Sequence, residues 1–302
     1  MTDKIYVPPI KIQGKKTKLV PFILKNLPES DYAVWVEPFM GSGVVGFNAQ
    51  PKKAIFADSN PHIINFYNAI KKGEITPLIA KLFLQEEGKK LSEKGQDYFN
   101  EVRQRFNKTH NSLDFLFLNR ACFNGMIRFN RKLDFNVPYG HKPERFAQAY
   151  ITKITNQIKE VVYFVENNDW TFVCQDFKTT LSNLPENSLV YCDPPYIGRN
   201  VDYYDSWNEE NEQDLLQLLT ETEAKFLLST WHSTSFRKNE YLQTFWKDFP
   251  IITTEHFYHL GAKEENRNAV TEALILNYQQ NKLANIILDI VEKPNYQQLS
   301  LL

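Results

Sequence analysis

Leu189-Val190-Tyr191-Cys192-Asp193-Pro194-Pro195-Tyr196 is the stretch on which the reading of this chain turns. Leu189 to Cys192 is apolar and β-prone, and the polar turn Pro185-Glu186-Asn187-Ser188 leads into it, so it reads as a short buried strand. The two prolines fix φ, donate no N–H and keep Asp193 and Pro194 out of a helix. The Pro194 carbonyl therefore stays free of ladder and helix bonding. One rigid corner presents a carboxylate (Asp193), a carbonyl (Pro194), a second proline that stiffens it (Pro195) and a flat ring (Tyr196). Two acceptors beside a stacking face suit a planar exocyclic amine, such as N6 of adenine, with its two N–H donors and a lone pair delocalised into the ring. In isolation the same residues read more simply as a strand end closed by a Pro-Pro turn. The rest of the chain decides between the two.

Upstream, Val34-Trp35-Val36-Glu37-Pro38-Phe39-Met40-Gly41-Ser42-Gly43 ends a β-rich run at Glu37, makes a tight Gly-x-Gly turn and enters a helix at Val44. A strand, a glycine loop and a helix let backbone approach a ligand at the carboxyl end of the strand. The third glycine of the dinucleotide fingerprint is missing, and no Gly-Lys-Ser/Thr makes this a phosphate loop. Next, Ala54-Ile55-Phe56-Ala57-Asp58 is a second strand ending in a carboxylate. Nucleoside-binding α/β folds use an acid there to accept from ribose hydroxyls. A tight turn and a turn aspartate are the plain alternatives, and the spacing of loop and acid favours the nucleoside reading. Ahead of both, Pro8 to Lys16 is a basic arm with a glycine turn, leading into a helical pattern at Leu19 to Leu27.

Strands beginning near 34, 54, 171, 189, 226, 251 and 273, separated by helices, predict an α/β fold with a doubly wound, mostly parallel seven-stranded sheet. Residues 74–168 are mostly helical in pattern, with a polar break at Lys89 to Gln96, and sit between the second and third strands. This divides the chain into a catalytic domain (1–73 and 169–302) and an inserted target-recognition domain (74–168). Inside the insert, apolar and polar residues alternate on both sides of Arg131-Lys132, which predicts a β-hairpin at about 126–139. Its basic tip and its aromatic neighbours Phe123, Phe129, Phe135 and Tyr139 suit a loop pushed into a nucleic-acid groove. Arg128 is of the type that grips guanine with two hydrogen bonds; the alternative is an ion pair with Asp134. A polar loop from Leu260 to Asn268 is expected between the last two strands, and an appended helix from Leu283 to Val291.

Composition narrows the class. No apolar run approaches the ~20 residues of a membrane span, and Met1-Thr2-Asp3-Lys4 lacks the apolar core of a signal peptide. Cys122, Cys174 and Cys192 are too few and scattered for a disulfide framework and suit a reducing compartment. The histidines have no metal-ligand spacing, so no metal is expected. The formal net charge of -1 hides an uneven distribution: residues 99–145 carry nine Lys/Arg against four Asp/Glu, and 202–224 carry eight Asp/Glu and no Lys/Arg. The basic middle falls on the insert with the hairpin, as a nucleic-acid surface requires. With no apolar stripe left unassigned, a monomer is expected.

Taken in order, VEPFMGSG, AIFAD and YCDPPY resemble the Dam-like, D12-class (group α) DNA adenine-N6 methyltransferases, from about Lys11 to Tyr278. Pro9 to Lys16 matches the family's amino-terminal P-x-K-x-x-G-x-K, and Leu118-Asn119-Arg120 to Tyr139-Gly140 resembles its DNA-reading segment, with FNGMIRFN and FNVPYG intact. The resemblance implies S-adenosylmethionine as methyl donor, held by Ile12, Lys16, Glu37, Pro38, Phe39, Gly41, Gly43, Asp58, Asp176 and Asp193, with Asp58 on the ribose and Asp176 near the cofactor adenine. It implies a target adenine held by Asp193, Pro194, Pro195 and Tyr196. It implies DNA contacts from Arg120, Phe123, Asn124, Arg128, Asn130, Arg131 and Lys132. Ile12 departs from the family, which carries an aromatic beside the amino-terminal glycine, and Leu228-Ser229-Thr230-Trp231-His232 follows its S-N-H-D-like segment only loosely.

The expected reaction is direct transfer of a methyl group to N6 of an adenine flipped out of double-stranded DNA, with no covalent intermediate. A companion restriction endonuclease is an expected functional partner, with a bacterial cytoplasmic, nucleoid-associated location and no membrane contact. A methyltransferase for RNA adenine or a protein amide, and a non-catalytic DNA-binding module of the same fold, are the competing readings.

Overall fold

The computed structural model describes residues 4–14, 16–197, 207–257 and 269–279. The loop and the tail helix expected at 260–268 and 283–291 lie outside them. Along the chain run α1 (Val20–Lys25), β1 (Val34–Glu37), α2 (Val44–Ala49), β2 (Lys53–Asp58), α3 (Pro61–Lys71), α4 (Pro77–Lys94), α5 (Gln96–Thr109), α6 (Ser112–Ala121) and α7 (Gln148–Asn167). They are followed by β3 (Asp169–Cys174), α8 (Phe177–Ser182), β4 (Ser188–Cys192), α9 (Glu209–Glu221), β5 (Lys225–Thr234), α10 (Tyr241–Phe245), β6 (Ile251–Phe257) and β7 (Ala269–Leu276).

Among the described residues the strands form one seven-stranded sheet in the order β3-β2-β1-β4-β5-β7-β6. β3 through β5 in that order are parallel neighbours, and β7 runs antiparallel to both β5 and β6. The strand order reverses at β1. From there the chain travels outward to β2 and β3, then returns to lay β4 on the other side of β1. Val36 pairs with Val190, so the carboxyl ends of β1 and β4 open side by side at the point where such sheets bind ligands. Every residue of β1 and β4 is buried, as expected of central parallel strands covered on both faces.

One face of the sheet carries Trp35, Phe47, Phe56, Tyr67 and Trp170 in a core that continues without a break into Phe99, Phe106, Phe115 and Phe117 of the helical insert. The other face packs Val36, Val190, Leu228 and Ile275 against Leu215, Leu219 and Trp246. The insert is thus bound to the sheet through shared core.

Three expectations need correction. Lys89 to Gln96 is not a break: α4 runs on to Lys94, because Leu91 faces the core and Lys90 holds Glu86 (2.6 Å) and Glu87 (3.0 Å) along one side. The stop is Gly95, with φ +57°. Next, residues 126–139 form an antiparallel excursion held by the isolated bridges Cys122–Tyr139 and Phe129–Phe135, not a ladder. Its tip is closed by the Asn130 side chain, whose Oδ1 accepts from the N–H groups of Lys132 (2.8 Å) and Asp134 (3.0 Å). Last, an apolar stripe is left over: Leu78 and Leu82, one turn apart on α4, are 63% and 57% exposed. A monomer no longer follows from the patterning.

A half-buried ion network stiffens the insert. Arg105 grips Asp114 through Nε (2.8 Å) and Nη2 and reaches Glu87 (2.7 Å), which also accepts from Tyr98 (2.7 Å). It ties α4, α5 and α6 together.

Candidate functional site

At the switch point, the loop after β1 is shaped from below. Met40 donates its N–H to the Ala57 carbonyl (2.8 Å), and Tyr67 donates its hydroxyl to the Ser42 carbonyl (2.7 Å). Asp58 accepts from the N–H of Gly41 and of Asn60, both at 2.8 Å. Gly43 has φ +72°, and a Cβ there would stand 2.9 Å from the Phe47 ring, so neither the turn nor the packing tolerates a side chain. Ile12 lies against Gly41, which brings the amino-terminal arm over the loop. Pro38 is buried, and Phe39 stacks on Phe177 (5.3 Å between centroids) with Trp207 edge-on (5.5 Å). Trp207 belongs to no motif and was not legible in the sequence.

Glu37 turns away from the loop. Its Oε1 accepts from the Trp35 indole (3.0 Å), and the Gly46 N–H also bonds to its carboxylate, beneath the first turn of α2. Burial pushes its carboxyl up to about 8, against those two hydrogen bonds and with a further push from the charge of Asp193. Glutamate in the unfolded chain titrates near 4.5. The stability associated with this proton is therefore full below about pH 4.5 and is lost as pH rises through about 8. Glu37→Gln keeps an acceptor for Trp35 and is expected to flatten that decline. Urea denaturation at about pH 5, 7 and 9 checks it; a wild-type pH dependence retained in the variant would contradict the assignment.

Beside the loop, Asp193 leaves β4 into the two prolines. Lys16 reaches across from the amino-terminal arm. Its Nζ is 2.9 Å from Asp193 Oδ1 and 2.7 Å from the Tyr196 hydroxyl, and stands 4.9 Å from the centroid of the Tyr196 ring. Lys16 is buried, whereas the Asp193 side chain remains 24% exposed at the mouth. Burial works against the ammonium, but Asp193 first, then Tyr196, Tyr191 and Glu272, hold it well above the ordinary lysine range. For Asp193, burial raises the carboxyl and Lys16 opposes it.

Glu272 on β7 escaped the sequence analysis. It is 2% exposed. The signal was there: Val270, Glu272, Leu274 and Leu276 alternate on one strand face, and a lone carboxylate in an inward apolar row marks a buried charge.

Other expected residues are engaged elsewhere by the contacts they make. Asp176 is exposed, and its Oδ1 caps α8 by accepting from Thr179 N–H (2.7 Å); that bond above all lowers its carboxyl below the usual range. Arg120 is drawn back to the amino-terminal arm, donating to the Pro9 carbonyl, while the Asn119 amide exchanges two 2.8 Å bonds with the Lys11 backbone. Burial, and then Arg145, lower Arg120 to about 10. Arg128 donates to Asn136 Oδ1 (2.9 Å) rather than to Asp134, which accepts from the Asn130 amide (3.1 Å). Asn130, Arg131 and Lys132 are exposed at the tip.

The aromatic set divides. Phe129, Phe135 and Tyr139 are buried at 8%, 1% and 4%, while Phe123 is 51% exposed beside Asn124, which holds φ +54°. The three buried rings correct the idea of an aromatic wedge. They pack against His62, Phe106 and Phe99, and His62 fastens the tip through Nε2 to the Leu133 carbonyl (3.0 Å).

A wide concavity lined by Pro28, Tyr32, Glu186, Leu218 and Lys225 lies at the amino ends of β4 and β5, the opposite edge of the sheet from the acid–proline corner. Among the described residues no group of His, Cys, Asp and Glu is arranged to hold a metal, and no helix is long and apolar enough to cross a membrane.

Comparison with known proteins falls on the same segments. Residues 13–260 match the family model of D12 class N6 adenine-specific DNA methyltransferases. The chain is similar to the type II methyltransferase M.FokI of Planomicrobium okeanokoites, with 30% identity over 290 residues, covering 92% of this chain and 44% of that protein. It is similar to type II methyltransferase M.MjaIII of Methanocaldococcus jannaschii, with 30% identity over 300 residues, 90% of this chain and 99% of that one. It is also similar to a DNA adenine methylase of Vibrio cholerae, with 34% identity over 194 residues, 62% of this chain and 64% of that one. The chain thus spans less than half of M.FokI and nearly all of M.MjaIII.

Proposed function

Because the chain belongs to the family of D12 class N6 adenine-specific DNA methyltransferases, we propose that it transfers a methyl group from S-adenosylmethionine to N6 of an adenine flipped out of double-stranded DNA. The observation that carries this is the Asp193-Pro194-Pro195-Tyr196 corner opening beside the glycine loop of β1 at the switch point. The loop's glycine geometry and Asp58 suit a nucleoside with a charged tail, so Ile12, Lys16, Pro38, Phe39, Gly41, Gly43 and Asp58 would hold the cofactor. When bound, the cofactor supplies a methyl group already activated by its sulfonium. The chain's own task is alignment. Asp193 and the Pro194 carbonyl accept the two N–H groups of the amine, freeing its lone pair, and Tyr196 stacks on the base. Asp193 need not act as a strong base beforehand, since the methylated nitrogen sheds its proton readily. Asp176, which follows β3 and caps α8 through Oδ1, would lie near the cofactor adenine.

The insert would read DNA. Phe123 and Asn124 are exposed at the base of the excursion whose tip carries Arg131 and Lys132, and ring and backbone contacts would offset the few kcal/mol that flipping a base costs. The names of the type II relatives support a place beside a companion restriction endonuclease.

Plasmid DNA from a host lacking adenine methylation, expressing this chain and read by single-molecule sequencing, tests the reading. N6-methyladenine at one sequence motif is expected. Unmodified DNA from a chain that binds S-adenosylmethionine would overturn DNA as the substrate and move it to RNA or a protein amide. Failure to bind the cofactor would leave the binding-module reading.

A further inference from the structure

In the proposed reaction Lys16 and the substrate amine compete for one carboxylate. Asp193 is to accept an N–H from the substrate amine, yet its Oδ1 is occupied by the Lys16 ammonium at 2.9 Å, and the same ammonium holds the Tyr196 hydroxyl. Lys16 is buried. Drawing a buried ammonium off its carboxylate is costly unless a second counter-charge receives it.

A second carboxylate lies on the right strand face. Cys192, the residue before Asp193, pairs with Leu228 on β5, and Trp231, three residues further along β5, pairs with Glu272 on β7. Alternation puts Glu272 on the face of Leu274 and Leu276, which share one core with Tyr191, Leu227 and Leu19 of the amino-terminal region. Lys16 stands three residues before Leu19 of that core. Glu272 is 2% exposed, so solvent does not screen its charge. Its charge acts on Lys16, Asp193 and Tyr196 alike, favouring the ammonium and opposing ionisation of the other two.

We propose that Glu272 is a positioning residue that draws the Lys16 ammonium off Asp193 when the substrate amine arrives. No proton or bond changes hands. The lysine keeps its charge and exchanges one carboxylate for another, and Asp193 becomes available to N6. The inference rests on the adenine-N6 reading given above.

A double-mutant cycle in single-turnover methyl transfer tests it, using wild type, Glu272→Gln, Lys16→Gln and the double variant with cofactor saturating. Glu272→Gln is expected to slow transfer about tenfold or more while Lys16 is present, with cofactor affinity within about twofold, and to have no further effect once Lys16 is gone. An equal loss in both backgrounds overturns the proposal, because Glu272 then acts without Lys16. No loss in the Lys16 background overturns it too, because lysine and amine then share the two oxygens of Asp193. Should Glu272→Gln fail to fold, Glu272→Asp, which retracts the charge by one methylene, carries the same cycle with the same readings. Should Lys16→Gln be too slow to follow, the ammonium resonance of Lys16 in ¹⁵N-lysine protein replaces it. Target duplex is expected to shift that resonance in wild type and not in the Glu272 variant, and an equal shift in both overturns the proposal. Wild-type protein that leaves DNA unmethylated is a separate result; it overturns DNA as the substrate.

Discussion

Replacing Asp193 by asparagine is expected to reduce methyl transfer to DNA by about a thousandfold, with the fold retained. The side chain keeps a carbonyl that can accept from Lys16, so the buried ammonium is not orphaned. It loses the charge that polarises the amine, and half of its head becomes a donor facing donors. Asp193→Ala removes the nearer carboxylate and leaves Glu272 as the remaining counter-charge of Lys16; stranding a buried charge altogether costs about 3–5 kcal/mol of stability. The partial exposure of Asp193 at the mouth places this variant at the lower end of that range. The asparagine variant is therefore the cleaner probe. Transfer of a tritiated methyl group in single turnover, with melting curves alongside, checks both. Asparagine within tenfold of wild type would remove Asp193 from the chemistry.

The second large effect separates two phenylalanines that look alike in the sequence. Phe135 is 1% exposed and packs with Phe106 and Phe129. Phe135→Ala is expected to cost about 3–5 kcal/mol, the usual toll of a cavity left by a buried phenylalanine. Because the tip then loses its seat on α3 and α5, DNA affinity should fall with it. Phe123 is 51% exposed. Phe123→Ala should change stability by no more than about 0.5 kcal/mol, yet weaken productive DNA binding about tenfold or more, since stacking on a base is worth about 1–3 kcal/mol. Denaturation midpoints and DNA-binding isotherms for the two variants check the contrast. A stability loss at Phe123 equal to that at Phe135 would refute it.

The difference between these rings shows where sequence reading stops. Around Arg131-Lys132 the pattern revealed an antiparallel excursion, but alternation cannot say which face meets protein and which meets solvent when both carry aromatics. Packing against His62, Phe99 and Phe106, residues distant in sequence, made that choice. Arg120 followed the same logic. It stands in a motif associated with DNA contact, yet the neighbouring amino-terminal arm, held through Pro9 and Lys11, is what it meets.

By itself the sequence determined the seven strands, the parallel character of most of them, the loop after β1 and the rigid corner after β4. These follow from local forces: β-branched and aromatic runs, glycines where backbone must turn, and prolines whose rings admit few conformations. The tertiary structure alone decided which charges share the corner. Lys16, Asp193 and Glu272 come from three distant parts of the chain, and no spacing connects them. Only the return of β4 beside β1 and the antiparallel insertion of β7 brought those carboxylates toward one lysine. Burial then gave their charges a strength that water would have screened away.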